Sequence, residues 1–376
     1  MTERAIFLSA LDLEDRAARA AYLGAVCAGN PALRQRIEQL LQTYREAGAF
    51  LDVPAMQQLA GDDQVLTFLG PPREPGTLGR LDHFEVLEVL GRGGTGMVFK
   101  ARDTVLQRVV AIKVLAPRLA ASATARQRFV RQAQAAAAVR DDHVVGTHGV
   151  TDDGPLPYLV MEHVAGTTLE DRIKQGGALD LGEVLRIGLQ VARGLAAAHA
   201  QGLIHRDIKP GNILLEDGVG RVKITDFGLA RAAAAGLAER DVIAGTPLFM
   251  SPEQARAEPT DHRTDLFSLG SVLYTLCTGR PPFRGDSTLA VLKSVCEHTP
   301  RPIRDSRPDV PDWLCDLISK LHAKEACNRF ASADEVADLL SGHLLASSCS
   351  RGPQGSAAES SHCGPRPNGQ PHRVRV

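Results

Sequence analysis

Aromatic side chains are scarce in this sequence: Phe, Trp and Tyr together make up 4% of 376 residues, and there is a single Trp. So few rings leave little for stacking nucleobases. The 43 basic and 44 acidic residues balance, so no global field collects nucleic acid or anionic lipid. No run of about 18 apolar residues occurs, which excludes a spanning helix in this sequence. The apolar run 6–8 is too short for a signal-peptide core, so the expected setting is cytoplasmic. Seven cysteines at irregular spacing, without a C-x-x-C pair, exclude a zinc ribbon and a disulfide framework and read as reduced thiols. Lysine is the other scarcity. Only eight of the basic residues are Lys, at 100, 113, 174, 209, 223, 293, 320 and 324, so a Lys at a demanding position is informative.

What is present divides into segments of different texture. Residues 1–51 read as a small helical module, a hairpin over 9–50. Asn30 is a cap followed by Pro31 at the first helical position, and Leu33, Ile37, Leu40, Leu41 and Tyr44 share one face. Residues 52–81 lose periodicity and end in Gly70-Pro71-Pro72-Arg73-Glu74-Pro75-Gly76, a linker signal. From 82 the pattern predicts strands at 84–90, 98–100, 109–115, 144–150 and 157–162, with an Ala-rich helix at 123–139. Helical patterns then dominate at 182–200, 265–278, 287–297, 311–321 and 332–345. The expected fold class is α+β: a β-rich lobe over 82–162 and an α-rich lobe over 163–345, with a cleft between them. Residues 346–376 are rich in Ser, Gly, Pro and Arg and read as a disordered tail.

The first strand runs into Leu90-Gly91-Arg92-Gly93-Gly94-Thr95-Gly96-Met97-Val98, which matches G-x-G-x-x-G-x-V. Glycines there let a backbone approach phosphate oxygens that a Cβ would block. The pattern also opens dinucleotide folds, but in those the third Gly enters a helix, whereas here a strand follows. Seventeen residues after Gly96, strand alternation places Ala111 and Lys113 on one face, and a Lys among apolar neighbours calls for an anion. In His205-Arg206-Asp207-Ile208-Lys209-Pro210-Gly211-Asn212, Asp207 can accept a hydroxyl proton and Lys209 can neutralise charge on a transferred group. Asn212 offers a neutral oxygen to a hard cation, and Asp226, in Asp226-Phe227-Gly228 at a strand end, offers a carboxylate for Mg²⁺.

In order and spacing, these motifs make the chain resemble the bacterial eukaryotic-type (Hanks-type) Ser/Thr protein kinases over about 82–343. Gly245-Thr246-Pro247, Ser251-Pro252-Glu253 (where the family usually has A-P-E), Asp265 and Arg329 extend the likeness. The resemblance implies a two-lobed kinase fold, ATP with Mg²⁺ or Mn²⁺ as cofactors, and protein Ser/Thr hydroxyls as acceptors. It implies that Met161 guards the adenine pocket and that Glu162 to Val164 form a hinge offering backbone hydrogen bonds. It also implies that Asp265 braces the 205–207 backbone, that Arg329 pairs with Glu253, and that Phe227 and Thr246 belong to the regulatory machinery.

Two positions depart from the family. The Glu that normally pairs with the strand Lys aligns with Gln132, and no Glu occurs between Glu88 and Glu162. Gln132 can accept from Lys113 through its amide oxygen, but without charge. The loss is on the order of 1–2 kcal/mol, about 5- to 30-fold in rate. The expectation is a weakened kinase, with a nucleotide-binding scaffold (a pseudokinase) as the alternative. Secondly, no Ser, Thr or Tyr lies between Gly228 and Thr246, so Arg206 has only Glu239 or Asp241 as standing anions there. Activity is therefore expected not to be switched by phosphorylation of residues 229–245.

Overall fold

The computed structural model describes residues 22–27, 33–34, 68–227 and 247–349. Of the N-terminal module, residues 22–26 and 33–34 are helical, with Leu23 and Cys27 buried, while the rest of the expected hairpin lies outside the described residues. Residues 346–349 of the expected tail instead continue the last helix, Ala333–Cys349, and the rest of the tail lies outside the described residues.

Two β-sheets and a set of helices follow. The first sheet has six antiparallel strands in the order β1-β2-β3-β4-β6-β5: Gly79–Leu81, Phe84–Gly93, Gly96–Asp103, Arg108–Leu115, Tyr158–Glu162 and Thr147–Thr151. Along β4, alternation sends Val110, Ile112 and Val114 into one apolar layer with Phe84, Phe99 and Tyr158. Ala111 and Leu115 go to the opposite layer, under helix α1 (Ala123–Ala137), which contributes Ala125, Phe129 and Ala133. Ser122 caps α1, its side chain accepting from Ala125 N.

The sheet starts earlier than the boundary at 82 expected from the sequence. The Pro- and Gly-rich run at 70–76 turns the chain back on itself. Gly70 and Arg80 exchange both backbone hydrogen bonds, at 2.7 and 2.9 Å, and Phe68 packs edge-on against Phe99. The end of the expected linker is thus part of the first lobe's core.

Beyond β6 come β7 (Gly166–Thr168), α2 (Leu169–Gly176), α3 (Leu181–Ala200), β8 (Ile213–Glu216) and β9 (Val222–Ile224). Then follow α4 (Arg263–Thr278), α5 (Thr288–Glu297), α6 (Asp312–Leu321) and α7 (Ala333–Cys349). Strands β7, β8 and β9 form the second, three-stranded sheet, and α3, α4, α6 and α7 surround the largest apolar core. Helix α4 is buried from Thr264 to Cys277, as a helix inside a lobe should be. Between the lobes, Val145 N donates to Ile224 O at 2.9 Å and Ile224 N donates to His143 O at 2.8 Å. Among the described residues no helix is long and apolar enough to cross a membrane.

Candidate active site

The cleft between the lobes collects most of the residues singled out from the sequence. Its upper wall is the β2–β3 hairpin. Gly96 sits at φ +147°, and a Cβ there would lie 1.9 Å from Val114 O, so the close approach of two backbones requires glycine. Gly91 and Gly93 are different. A Cβ on either would meet nothing within 4 Å among the described residues, so no contact there accounts for the missing side chains. The turn is tethered from the side by Arg118, whose Nη2 donates to Gly94 O at 2.7 Å. Leu90 is largely exposed, Met97 is buried on the far face of the sheet, and Arg92 and Thr95 lie at the rim. Val98, Ala111, Val145, Met161 and Val164 join one apolar cluster, which Leu214 of β8 enters from the other lobe. A cavity of about 20 Å³ lies behind Met161 and is lined in part by Gln132, Ala136 and Phe227.

The segment expected to be a hinge, 162–164, is fastened by the side chain of Glu162. Glu162 Oε2 accepts from Gly146 N at 3.1 Å and from the buried Lys223 of β9 at 2.9 Å, an ion pair joining the hinge to the second lobe. Lys223 was not singled out from the sequence. Its signal was available: one of only eight lysines, inside an apolar strand.

Lys113 is almost fully buried and pairs with Asp226, Nζ to Oδ1 at 2.8 Å. The expected hydrogen bond from Lys113 to Gln132 is not formed; Gln132 Oε1 is buried without a hydrogen-bond partner among the described residues. A carboxylate outcompetes a neutral amide oxygen for a buried ammonium, and α1 supplies none. Burial works against the charge on Asp226. Lys113 outweighs it and, with His205 and Lys209, holds this carboxyl below its ordinary range. Asp226 adopts φ +68° and Arg206 φ +64°, backbone conformations that non-glycine residues seldom take and that collect at functional sites.

The catalytic-loop candidates converge on one carboxylate oxygen. Lys209 Nζ donates to Asp207 Oδ2 at 2.8 Å, and Asn212 Nδ2 donates to the same oxygen at 3.0 Å and to Asp207 O at 2.8 Å. Using Nδ2 in this way leaves Asn212 Oδ1 as the acceptor available to a cation. Thr225 N donates to Asn212 O at 3.0 Å, which ties the strand leading into Asp226 to this loop. Beneath it, the fully buried Asp265 accepts from His205 N at 2.8 Å, Arg206 N at 2.7 Å and His199 Nε2 at 2.8 Å. His205 completes the frame, with Nε2 bonded to Thr225 O at 2.8 Å and its ring 4.6 Å from that of Phe227.

A third group flanks the cleft. Ser251 and Gln254 form a capping box with Pro252 at the first helical position, so the short helix Pro252–Ala255 starts where its sequence dictates. Gln254 Nε2 donates to Arg206 O at 2.8 Å, and Glu253 pairs with Arg329. Gly228, Glu239, Asp241, Gly245 and Thr246 lie outside the described residues.

Comparison with known proteins agrees with this geometry. The protein kinase domain model matches residues 84–340. The chain therefore belongs to the protein kinase family, in its bacterial eukaryotic-type serine/threonine branch. It is 40% identical over 270 residues to the serine/threonine-protein kinase PknB of Mycolicibacterium smegmatis, covering 70% of this chain and 43% of that protein. It is also 40% identical over 257 residues to the probable serine/threonine-protein kinase CPE1738 of Clostridium perfringens, covering 68% and 37%. The chain thus spans about two fifths of the length of these relatives. Among solved structures, the kinase domain of Mycobacterium tuberculosis PknI superposes with a TM-score of 0.56 at 27% identity, covering 69% of this chain and 96% of that one.

Proposed function

We propose that this chain transfers the γ-phosphoryl group of ATP to Ser and Thr hydroxyls of proteins, at a rate lowered by Gln132. The observation that carries this reading is the convergence of Lys209 and Asn212 on Asp207 Oδ2. Held in this way, the carboxylate can present its other oxygen to the acceptor hydroxyl, orient it, and take its proton as the oxygen attacks phosphorus. Lys209 stands beside the same point to offset charge on the transferred group. Gly91 and Gly93 leave the flap open to phosphate oxygens, and the apolar cluster from Val98 to Leu214 suits a purine ring.

Asn212 and Asp226 would hold a divalent cation, Mg²⁺ or Mn²⁺. Their donor set fits: one amide oxygen and one carboxylate kept ionised, the hard oxygen donors such a cation takes. When bound, the cation neutralises phosphate charge. Asp265, Glu253 and Arg329 keep the catalytic loop and the adjoining segment in place, and the family likeness assigns Arg206 and Thr246 to the regulatory machinery.

The alternative reading is a nucleotide-binding scaffold, and the unpartnered Gln132 Oε1 favours it. Phosphate transfer from radiolabelled ATP to a generic protein substrate separates the two. The kinase reading expects a signal that Asp207→Asn abolishes and Gln132→Glu raises about 5- to 30-fold. Equal background from all three proteins would overturn the kinase reading and favour the scaffold.

A further inference from the structure

Lys113 has one ion-pair partner among the described residues, and that partner is the carboxylate proposed to bind metal. The reason lies on the neighbouring helix. Helix α1 reads ATARQRFVRQAQAAA and carries no acid, and its residue facing the cleft, Gln132, leaves its amide oxygen unbonded. A buried ammonium cannot stay without an anion, so it takes the nearest one. No group of three or more His, Cys, Asp or Glu among the described residues could hold a metal unaided. A cation at Asn212 and Asp226 therefore takes its remaining oxygens from water, or more tightly from the nucleotide.

We infer that Lys113 and the divalent cation compete for Asp226, and that Gln132 is the positioning residue that creates this competition. Without nucleotide, Lys113 neutralises Asp226 and the site takes up metal poorly. When phosphates enter beneath the flap they give Lys113 a stronger anion, Asp226 is released, and the cation finds its carboxylate. Nucleotide and metal thus tighten each other's binding, by the same factor in either order. A Glu at 132 would occupy Lys113 permanently and leave Asp226 free before nucleotide arrives. This inference rests on the kinase reading of the cleft and names how its cofactor is admitted.

The test is Mn²⁺ binding to the nucleotide-free full chain, followed by the loss of the free-ion electron paramagnetic resonance signal. Gln132→Glu and Lys113→Met are each expected to tighten Mn²⁺ on the order of tenfold, and Asp226→Asn to abolish it. Lys113→Met adds no charge, so tightening there cannot come from a new ligand. With a non-hydrolysable ATP analogue present, the factor by which nucleotide tightens Mn²⁺ should shrink in Gln132→Glu by the same fold. Unchanged Mn²⁺ affinity in both variants, with the analogue still binding in Mg²⁺, would overturn this inference alone. Failure of the unmodified chain to bind the analogue at all would overturn the kinase reading and this inference with it.

Discussion

Arg329 donates Nη1 to Glu253 Oε1 at 2.7 Å and Nη2 to Glu253 Oε2 at 2.8 Å, a two-pronged pair between residues far apart in the chain. The rest of the guanidinium is taken up by the carbonyls of Ala323, Arg263 and Lys324, and Thr264 Oγ1 donates a third bond to Glu253. Both partners are buried, so removing one leaves the other charged and unpaired, at about 3–5 kcal/mol. Arg329→Met and Glu253→Gln should each lose that much in urea unfolding, and the double variant clearly less than the sum. Burial opposes the charge on Glu253, yet Arg329 and Thr264 hold its carboxyl below its ordinary range. The stability it contributes is complete above the ordinary Glu pKa and disappears as pH falls through the lowered one. Additive single-variant losses would refute the pairing as an energetic unit.

Arg126 carries the second prediction. From the first turn of α1 it donates to Asp152 Oδ1 at 3.0 Å and to the carbonyls of Asp152, Gly154 and Pro155 at 2.7, 2.9 and 3.2 Å. With no ion pair between Lys113 and α1, this fork is what ties the helix to the turn between β5 and β6. The carbonyl bonds matter more than the half-exposed Asp152 carboxylate, because exposed pairs contribute little. Arg126→Ala should cost about 1–2 kcal/mol and speed hydrogen exchange across 123–137 while leaving α3 and α4 unchanged. Exchange in α1 equal to that of the unmodified chain would rule the tether out.

Acid sensitivity follows from His322. It is fully buried beside Phe267 and Phe283, with Nε2 3.1 Å from Ser271 Oγ; burial first, then Lys324 and Arg329, lowers its pKa to about 3. The unfolded chain takes up a proton near pH 6.5 that the folded one refuses. Stability is therefore complete above pH 6.5 and falls steadily below it, by about 2 kcal/mol at pH 5. His322→Gln should flatten that part of the profile in urea unfolding measured from pH 7.5 to 5. An unchanged slope would assign the acid loss to other groups.

How far the sequence revealed the molecule can be judged at particular residues. Alternation along 109–115 placed Ala111 and Lys113 on one face of β4, because a strand buried on both sides leaves only parity to read. The helices beyond 182 were legible to within a few residues, since their apolar stripes repeat at helical spacing. The end of the linker was misread because Gly and Pro mark a turn without saying whether the chain then leaves or returns; Phe68 against Phe99 decides that, and such a contact has no local signature. The partner of Lys113 was misread for a related reason. Alignment identifies which residue stands at 132, but which anion lies nearest a buried ammonium depends on the left-handed backbone at Asp226.

The flap glycines supply the last prediction, because two of them resemble each other in sequence but not in environment. Gly96 has φ +147° and no room for a Cβ against Val114 O. Gly96→Ala must shift β3 away from β4, and the strain should lower stability by about 2–3 kcal/mol whether or not nucleotide is present. At Gly93 a Cβ meets open space and the backbone is not left-handed, so Gly93→Ala should change stability by no more than about 0.5 kcal/mol. If the flap lies over phosphates, the same methyl group will hold the backbone away from them and weaken binding of an ATP analogue several-fold. Thermal unfolding of the two variants, each with and without the analogue and Mg²⁺, checks both halves. A Gly93→Ala protein that binds the analogue as tightly as the unmodified chain would show that the hairpin does not close over the phosphates.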